Sequence, residues 1–364
     1  MKISIKLAEI LRAHNRPVHG AIADICKFAP YLKRQQVSAI LNNKVEYVSL
    51  AVLGSICDYL VANELGDERL LPGSLFRHDP IHFFELLTPR ELVEFVVGER
   101  RSRVHTDDTW VVGDDLQLHN DLLKEINGFA FTKNELRRVA SYLRGDDIAA
   151  DHPLVVAAIE SARKAFDEFD KNPAQRALVA LGSQKSNLIV NSILSDSFST
   201  ADAFAPQRDV AEPRDRACPI FFRYRDKDPQ VPSCAGGKEL ADSMQDTEPG
   251  IYYEEADGSW TVCPCNQTED AAVIFYRYDR TLGRVEMMLS GYSGRSTLSI
   301  SKILTAHANK LRKPVFSTPQ KAYGLYVIRF KFPRVEESDE SASEFDDFQV
   351  IRIEEKVLAK RLSK

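Results

Sequence analysis

The sequence predicts a small helical bundle followed by an α/β domain built on a mostly parallel sheet. Three observations point there. Apolar residues over 1–62 recur every three or four positions, the period of one helix face. From about residue 91, short apolar runs alternate with helical patterns, as in strands joined by crossover helices. The charge also divides: residues 1–62 carry eight Lys and Arg against four Asp and Glu, whereas the whole chain has 48 against 53. A basic end on an acidic body fits either a polyanion that meets only that end or ordinary scatter of charge, and charge alone does not separate the two.

A chain of 364 residues is long enough for two or three domains, each with its own core. Hydrophobic residues at 44% and charged residues at 28% match a globular protein and exclude wholesale disorder. The longest uncharged run has eleven residues (47–57), too short to span a membrane, so no membrane partner is expected. The opening MKISIKLAEILRAHNR has no uncharged signal-peptide core, which predicts a cytoplasmic protein. Its six cysteines are then expected as thiols. Cys26 and Cys57 read as small core residues, and the spacings of 16, 29 and 2 between Cys218, Cys234, Cys263 and Cys265 include no CxxC pair. No HExxH pair occurs either, so neither a metal nor another cofactor is expected.

Taken in order, apolar sets at Ile3, Leu7, Ile10 and Leu11, at Ala21, Ile22 and Ile25, at Val37, Ile40 and Leu41, and at Leu50, Leu53, Ile56 and Leu60 predict four short helices. Asn15-Arg16-Pro17, Ala29-Pro30 and Asn42-Asn43 break them, and Ser49 is the expected N-cap of the fourth. Pro72, Gly73, Pro80 and Pro89 mark 66–90 as a linker between domains at 1–65 and 91–364. Beyond it the pattern predicts strands at 93–97 and 109–112, helices at 116–126, 132–143 and 153–169, a buried strand at 177–181 and a helix at 187–194. Residues 200–250 read as irregular connections. Strands follow at 250–254, 260–263, 272–278, 285–290, 325–332 and 348–353, with a helix at 296–311 and an acidic solvated loop at 336–347. Similar strand-to-glycine endings at 98 and 182 allow two related halves, 91–175 and 176–364.

The most specific signal is IADICKFAPYLKRQQVSAILNNKVEYVSLAVLGSICDYL, residues 22–60. It resembles the Cro/repressor-type, or XRE-like, helix-turn-helix. Ala23 falls at the small position of the first motif helix. Val37-Ser38 and Ile40-Leu41 fit the recognition helix, Asn42-Asn43-Lys44 fits the turn that leaves it, and Ser49 through Leu60 fits the supporting helix. The chain departs from the family in the 14 positions from Ala23 to Val37, which require a longer turn at 27–32 or a longer first helix. The resemblance implies a bacterial-type transcription regulator that binds double-stranded DNA as a homodimer. Lys33, Arg34, Gln35 and Gln36 would face base edges, where Arg pairs with guanine and Gln with adenine. Ser38, Asn42, Asn43 and Lys44 would touch phosphates. The alternative for this end is a protein-interaction module with a solvated basic face.

Two further loops carry chemistry. Gly182-Ser183-Gln184-Lys185-Ser186-Asn187 follows a predicted strand and opens a helix, so its backbone N–H groups, small side chains and Lys185 suit an anion. It loosely resembles the phosphate loop of flavodoxin-like folds, through Gly182, Ser183 and Asn187, which implies a Rossmann- or flavodoxin-like sheet. Ser290-Gly291-Tyr292-Ser293-Gly294-Arg295-Ser296-Thr297 repeats the logic. Gly291 and Gly294 permit tight turns, Arg295 offers a bidentate clamp, Ser296 or Thr297 can cap the helix, and Tyr292 can stack on a base. If the two preceding strands are neighbours, both loops meet at the carboxyl edge of the sheet, where open α/β folds bind ligands. Ser293 lacks the GxSxG spacing of a nucleophile elbow, because Arg295 stands where the second Gly belongs. Asp114 and Asp115 can bind a metal or a ribose, or cap the following helix, while Arg223, Arg225 and Asp226 flank a Pro-rich loop. The expected function is a DNA-binding regulator with an α/β sensor for a small anionic or nucleotide-like ligand. The alternative is an enzyme acting on a nucleotide or phosphorylated metabolite, with the helical end as an accessory.

Overall fold

The computed structural model describes residues 2–45, 47–66, 71–72, 75–79, 83–88, 90–101, 109–127, 133–141, 153–172, 174–199, 218–223, 248–334 and 344–362. Arg225, Asp226, Cys234 and most of the acidic run at 336–347 lie outside these residues, as does most of 200–250. The chain divides into two units, residues 1–81 with 280–282 and residues 82–279 with 283–364.

The first unit holds the four expected helices: α1 (Leu7–Ala13), α2 (Val18–Phe28), α3 (Arg34–Leu41) and α4 (Leu50–Ala62). Ser49 caps α4 by accepting the Val52 N–H at 3.4 Å. Asn15 and Asn43 end their helices in the left-handed region, at φ 56° and 52°. The apolar faces close on one core, with Leu7, Leu11, Ile25, Val37, Ile56 and Leu60 almost wholly buried. One feature escaped the helical reading: Lys2–Ile5 is a strand, β1, paired antiparallel with β2 (Phe76–Asp79) from inside the expected linker. The small buried residue of α2 is Ala21, whereas Ala23 is exposed. This moves that position two residues further from Val37 than the sequence resemblance places it.

Among the described residues, the second unit is built on a nine-stranded sheet. Toward one edge, β3 (Leu92–Arg101) pairs in parallel with β5 (Lys133–Ala140) and with β6 (Arg176–Leu181), and β6 pairs in parallel with the central β11 (Arg284–Gly291). Beyond β11 the pairing reverses: β10 (Glu269–Asp279), β13 (Lys321–Lys331) and β14 (Asp347–Arg352) follow, each antiparallel to its neighbour. Short β4 (Thr109–Val111) and β12 (Phe316–Ser317) pair antiparallel with β3 and β13. The sheet is therefore mixed, which corrects the mostly parallel expectation. The reason is connection length. Four residues separate the end of β10 at Asp279 from the start of β11 at Arg284, far too few for a parallel crossover.

A second correction concerns 132–143, expected as a helix and found as β5. Leu136, Val139 and Ala140 happen to fall at helical spacing, but the segment lies along β3 as a strand with charged, outward side chains. Charge of this kind is usual where a strand has one neighbour only. Helices cover both faces of the sheet. On one face, α5 (Gly113–Asn127) brings His119 edge-on to Phe95 at 4.9 Å and packs against α8 (Gly294–Leu311). On the other, α6 (Pro153–Lys171) and α7 (Ile189–Phe198) carry Asp170 and Asp196 to Arg284 and Arg277. A separate three-stranded antiparallel sheet is formed by β7 (Ile220–Arg223), β8 (Gly250–Glu254) and β9 (Trp260–Pro264). The terminal helix α9 (Glu355–Leu362) is tied to β8 by Arg361 Nε donating to Glu254 at 2.6 Å.

Candidate functional site

In the helical unit, α3 divides cleanly. Val37, Ile40 and Leu41 are buried, while Lys33, Arg34, Gln35 and Gln36 are all exposed. Arg34, Gln35, Ser38, Asn42 and Lys44 line one open groove with His19, Ile22 and Ala23 of α2. The groove therefore gathers five of the eight expected nucleic-acid contacts. His19 is an addition that no sequence motif marked. Gln36 instead closes the start of α3, accepting the Lys33 N–H at 3.4 Å. Asn43 turns toward β1, accepting the Ile5 N–H at 2.5 Å and donating to the Ile5 carbonyl at 3.1 Å. Its side chain therefore holds the fold of this unit.

In the α/β unit, β6 and β11 are parallel neighbours, so the two glycine loops meet at the carboxyl edge. Ser290 Oγ donates to the Gly182 carbonyl at 2.6 Å, and Gly182 N donates to the Leu289 carbonyl at 3.1 Å. The first loop is tightly seated. Asn187 is fully buried and donates to the carbonyls of Val96 and Leu181, at 2.8 and 3.0 Å, which joins β3 to β6. A Cβ on Gly98 of β3 would collide with the Ser186 carbonyl oxygen. Gly182 itself has φ +96°, a conformation that L side chains rarely adopt. Lys185 is the one half-buried residue in a loop whose Ser183, Gln184 and Ser186 are buried.

The second loop is largely satisfied from within. Ser293 is the N-cap of α8, and Ser296 Oγ accepts its N–H at 3.1 Å. Thr297 Oγ1 accepts the Gly291 N–H at 3.2 Å and donates to the Ser293 carbonyl at 3.0 Å. Tyr292 Oη donates to the Arg223 carbonyl at 3.1 Å, the described member of the Arg223, Arg225 and Asp226 group. Arg295 lies over the Phe332 ring and donates to Asp270 at 3.2 Å and to the carbonyls of Gln267 and Asn266 at 2.8 and 2.6 Å. The side chain expected as a ligand clamp thus binds the start of β10 to α8.

The acidic pair proves more informative than either loop. Asp114 and Asp115 stand in the first turn of α5, above the edge of the sheet. A Cβ on Gly294 would strike the Asp114 carboxylate, and one on Gly182 would lie 2.6 Å from Asp115 Oδ2. Each glycine loop is thus overlaid by one aspartate. Asp115 is 2% exposed, and its Oδ2 makes no hydrogen bond among the described residues. Burial pushes its carboxyl up to about 7; the Arg100 charge opposes this rise, and the Asp114 charge adds to it.

A buried ionic row on the opposite face went unnoticed in the sequence. Glu94, Leu178 and Glu286 are in register on β3, β6 and β11. Glu94 pairs with Arg176 and Arg137, and Glu286 with Arg277 and Arg284. The available signal was a lone acid inside each of two otherwise apolar strands. No protein-family model, curated protein or solved structure matches this chain.

Proposed function

We propose that the protein is a DNA-binding transcription regulator whose α/β unit binds a small nucleotide-like ligand at the carboxyl edge of its parallel strands. The observation that carries the reading is the groove between α2 and α3, where Arg34, Gln35, Ser38, Asn42 and Lys44 are displayed together over a buried apolar core. Arg and Gln are the side chains whose paired hydrogen bonds discriminate guanine and adenine, and Lys44 supplies charge for the phosphate backbone. A single α3 reads few base pairs, so the protein acts as a homodimer on two half-sites. The ligand site is supported by strand order. The chain passes from β3 through α5 to β5 on one side, then through α6 back to β6 on the other side of β3, so the crossovers reverse direction there, and open α/β sheets bind ligands outside such a reversal. Ligand binding then shifts the population between DNA-competent and incompetent arrangements.

The test is sequencing of DNA that co-purifies with the tagged chain, compared with the Arg34→Ala/Gln35→Ala variant. Enrichment of one motif by the wild type, lost in the variant, is expected. Equal retention of the same sequences by both would overturn direct readout. Failure to retain any duplex at low salt would favour a protein-binding module.

A further inference from the structure

Resting on the homodimer part of that reading, we propose that two copies of this chain meet through the open face of α4. The two helices run antiparallel about a two-fold axis, with Leu50 of each copy against Val61 of the other.

The residues of α4 are apolar almost all round, and Asp58 is the one charge among them. A helix of that composition is ordinarily covered on every side. Here the cover is incomplete. Val52, Ile56, Tyr59 and Leu60 fill the core of the first unit, while Leu50 and Val61 are 85% and 36% exposed. Leu50, Gly54, Cys57 and Val61 follow one another at steps of four, three and four, so they share one helix face, and Leu53 flanks it. With Leu71 they line an open groove. A contiguous exposed apolar surface of this kind marks a contact with another protein.

Gly54 points the same way independently. It is exposed in the middle of α4, and nothing lies within 4 Å of the position its Cβ would take. Glycine weakens a helix interior, and no neighbour among the described residues requires the missing side chain. A second helix crossing at Gly54 does require it, because the two backbones then approach closely.

Charge and symmetry identify the occupant. The face carries no cation, so it does not suit the polyanion to which the groove between α2 and α3 presents Arg34 and Lys44. It is instead complementary to itself, as a two-fold contact demands. About an axis through the middle of α4, Leu50 meets Val61 of the other copy, and Gly54 meets its Cys57. Both pairs are centred on the same point of the helix, and antiparallel order sets each helix dipole against its opposite end. The two grooves share no residue, so one protomer can engage DNA and a second copy together. Nine residues line the α4 groove, against roughly 20–30 per partner in a stable interface. The dimer is therefore weak, with a dissociation constant on the order of 10–100 µM.

Sedimentation velocity of the full chain, at concentrations spanning that range, tests this with Leu50→Glu, Val61→Lys, the two combined, and Gly54→Gln. The wild type is expected to pass from monomer to dimer. Leu50→Glu and Val61→Lys should each weaken association at least roughly tenfold, because each change is met twice in a symmetric dimer. Combined in one chain, the opposite charges face each other at both ends of the interface, and association should return close to the wild-type value. Gly54→Gln should associate at least roughly tenfold less yet melt no lower than wild type, since glutamine suits an exposed helix interior better than glycine. A loss in both single variants without recovery in the combined one would overturn the antiparallel pairing. A wild-type dimer untouched by every variant would overturn this face and leave the homodimer reading intact. A monomer throughout would overturn both. Dimerisation through α4 by a protein that retains no duplex at low salt would support the interface and overturn the DNA-binding reading instead.

Discussion

Arg284 Nη2 lies 2.5 Å from Glu286 Oε1, two residues along the same face of β11, with the glutamate fully buried. Arg277, opposite on β10, holds the same carboxylate oxygen at 2.5 Å and also pairs with Asp196 of α7. Glu286→Ala would leave two guanidinium groups facing a cavity in the middle of the sheet. Removing one partner of a buried ionic group costs roughly 3–5 kcal/mol. Urea denaturation should show a loss of this size. The triple variant Glu286→Leu/Arg284→Met/Arg277→Met should recover much of it, because an apolar group of three needs no counter-charge.

Asp115 gives a stability change whose direction in pH is fixed. Its carboxyl is raised to about 7 by burial, whereas an unfolded aspartate titrates near 4. Between those values the folded state holds the proton that the unfolded state has lost. Stability therefore falls as pH rises from about 4 to about 7 and is level above that. The loss is on the order of 4 kcal/mol at full extent. Asp115→Asn should remove this slope and melt higher than wild type at pH 8. Melting curves of both proteins at pH 5 and pH 8 measure the difference directly.

How far the sequence carries the fold depends on whether a feature is local. The apolar runs at 177–181 and 285–290 announce β6 and β11 because both strands are buried on two faces. The helices of the first unit follow from their three-and-four spacing, and Ser49 from the chemistry of capping. β1 escapes because Ile3 and Leu7 also fit a helical period, and only pairing with Phe76–Asp79 settles the matter. β5 escapes for the same reason. The six-residue gap between the strands expected at 272–278 and 285–290 was readable as a hairpin, and with it the mixed sheet. At the candidate site, residue types and strand-to-helix turns were legible. What lies over Gly182 was not, since Asp115 arrives from a helix some 67 positions earlier in the chain. The same is true of Asp270, which engages Arg295 from 25 residues away.

Gly98→Ala tests how closely the first loop seats on β3. The new methyl group would run into the Ser186 carbonyl oxygen, a backbone atom with no side-chain freedom to yield. Overpacking of this kind typically costs 1–3 kcal/mol and more where backbone must move. A shift of the 182–187 loop would also disturb the Asn187 hydrogen bonds to Val96 and Leu181. Gly113→Ala provides the control, since nothing lies within 4 Å of its Cβ position. Chemical denaturation should separate the two variants by at least about 2 kcal/mol.

For nucleic acid, the groove predicts two distinct signatures. Arg34 and Gln35 stand in the first turn of α3, where a recognition helix meets base edges. Replacing either by Ala should cost about 1–3 kcal/mol on the preferred duplex and flatten selectivity at one position of the site. Lys44 lies beyond the end of α3, exposed at the rim of the same groove. Lys44→Ala should weaken every duplex by a similar factor and reduce the slope of log K against log salt by about 1 per protomer, because one fewer phosphate is neutralised. Binding titrations of the three variants at several salt concentrations distinguish these outcomes. Asn43→Ala should behave differently from all of them. Its amide closes β1 onto the turn after α3 through both polar atoms of Ile5, so its loss should lower the melting temperature of the free protein. An affinity loss for Asn43→Ala without a melting change would mean that this side chain leaves β1 to contact DNA.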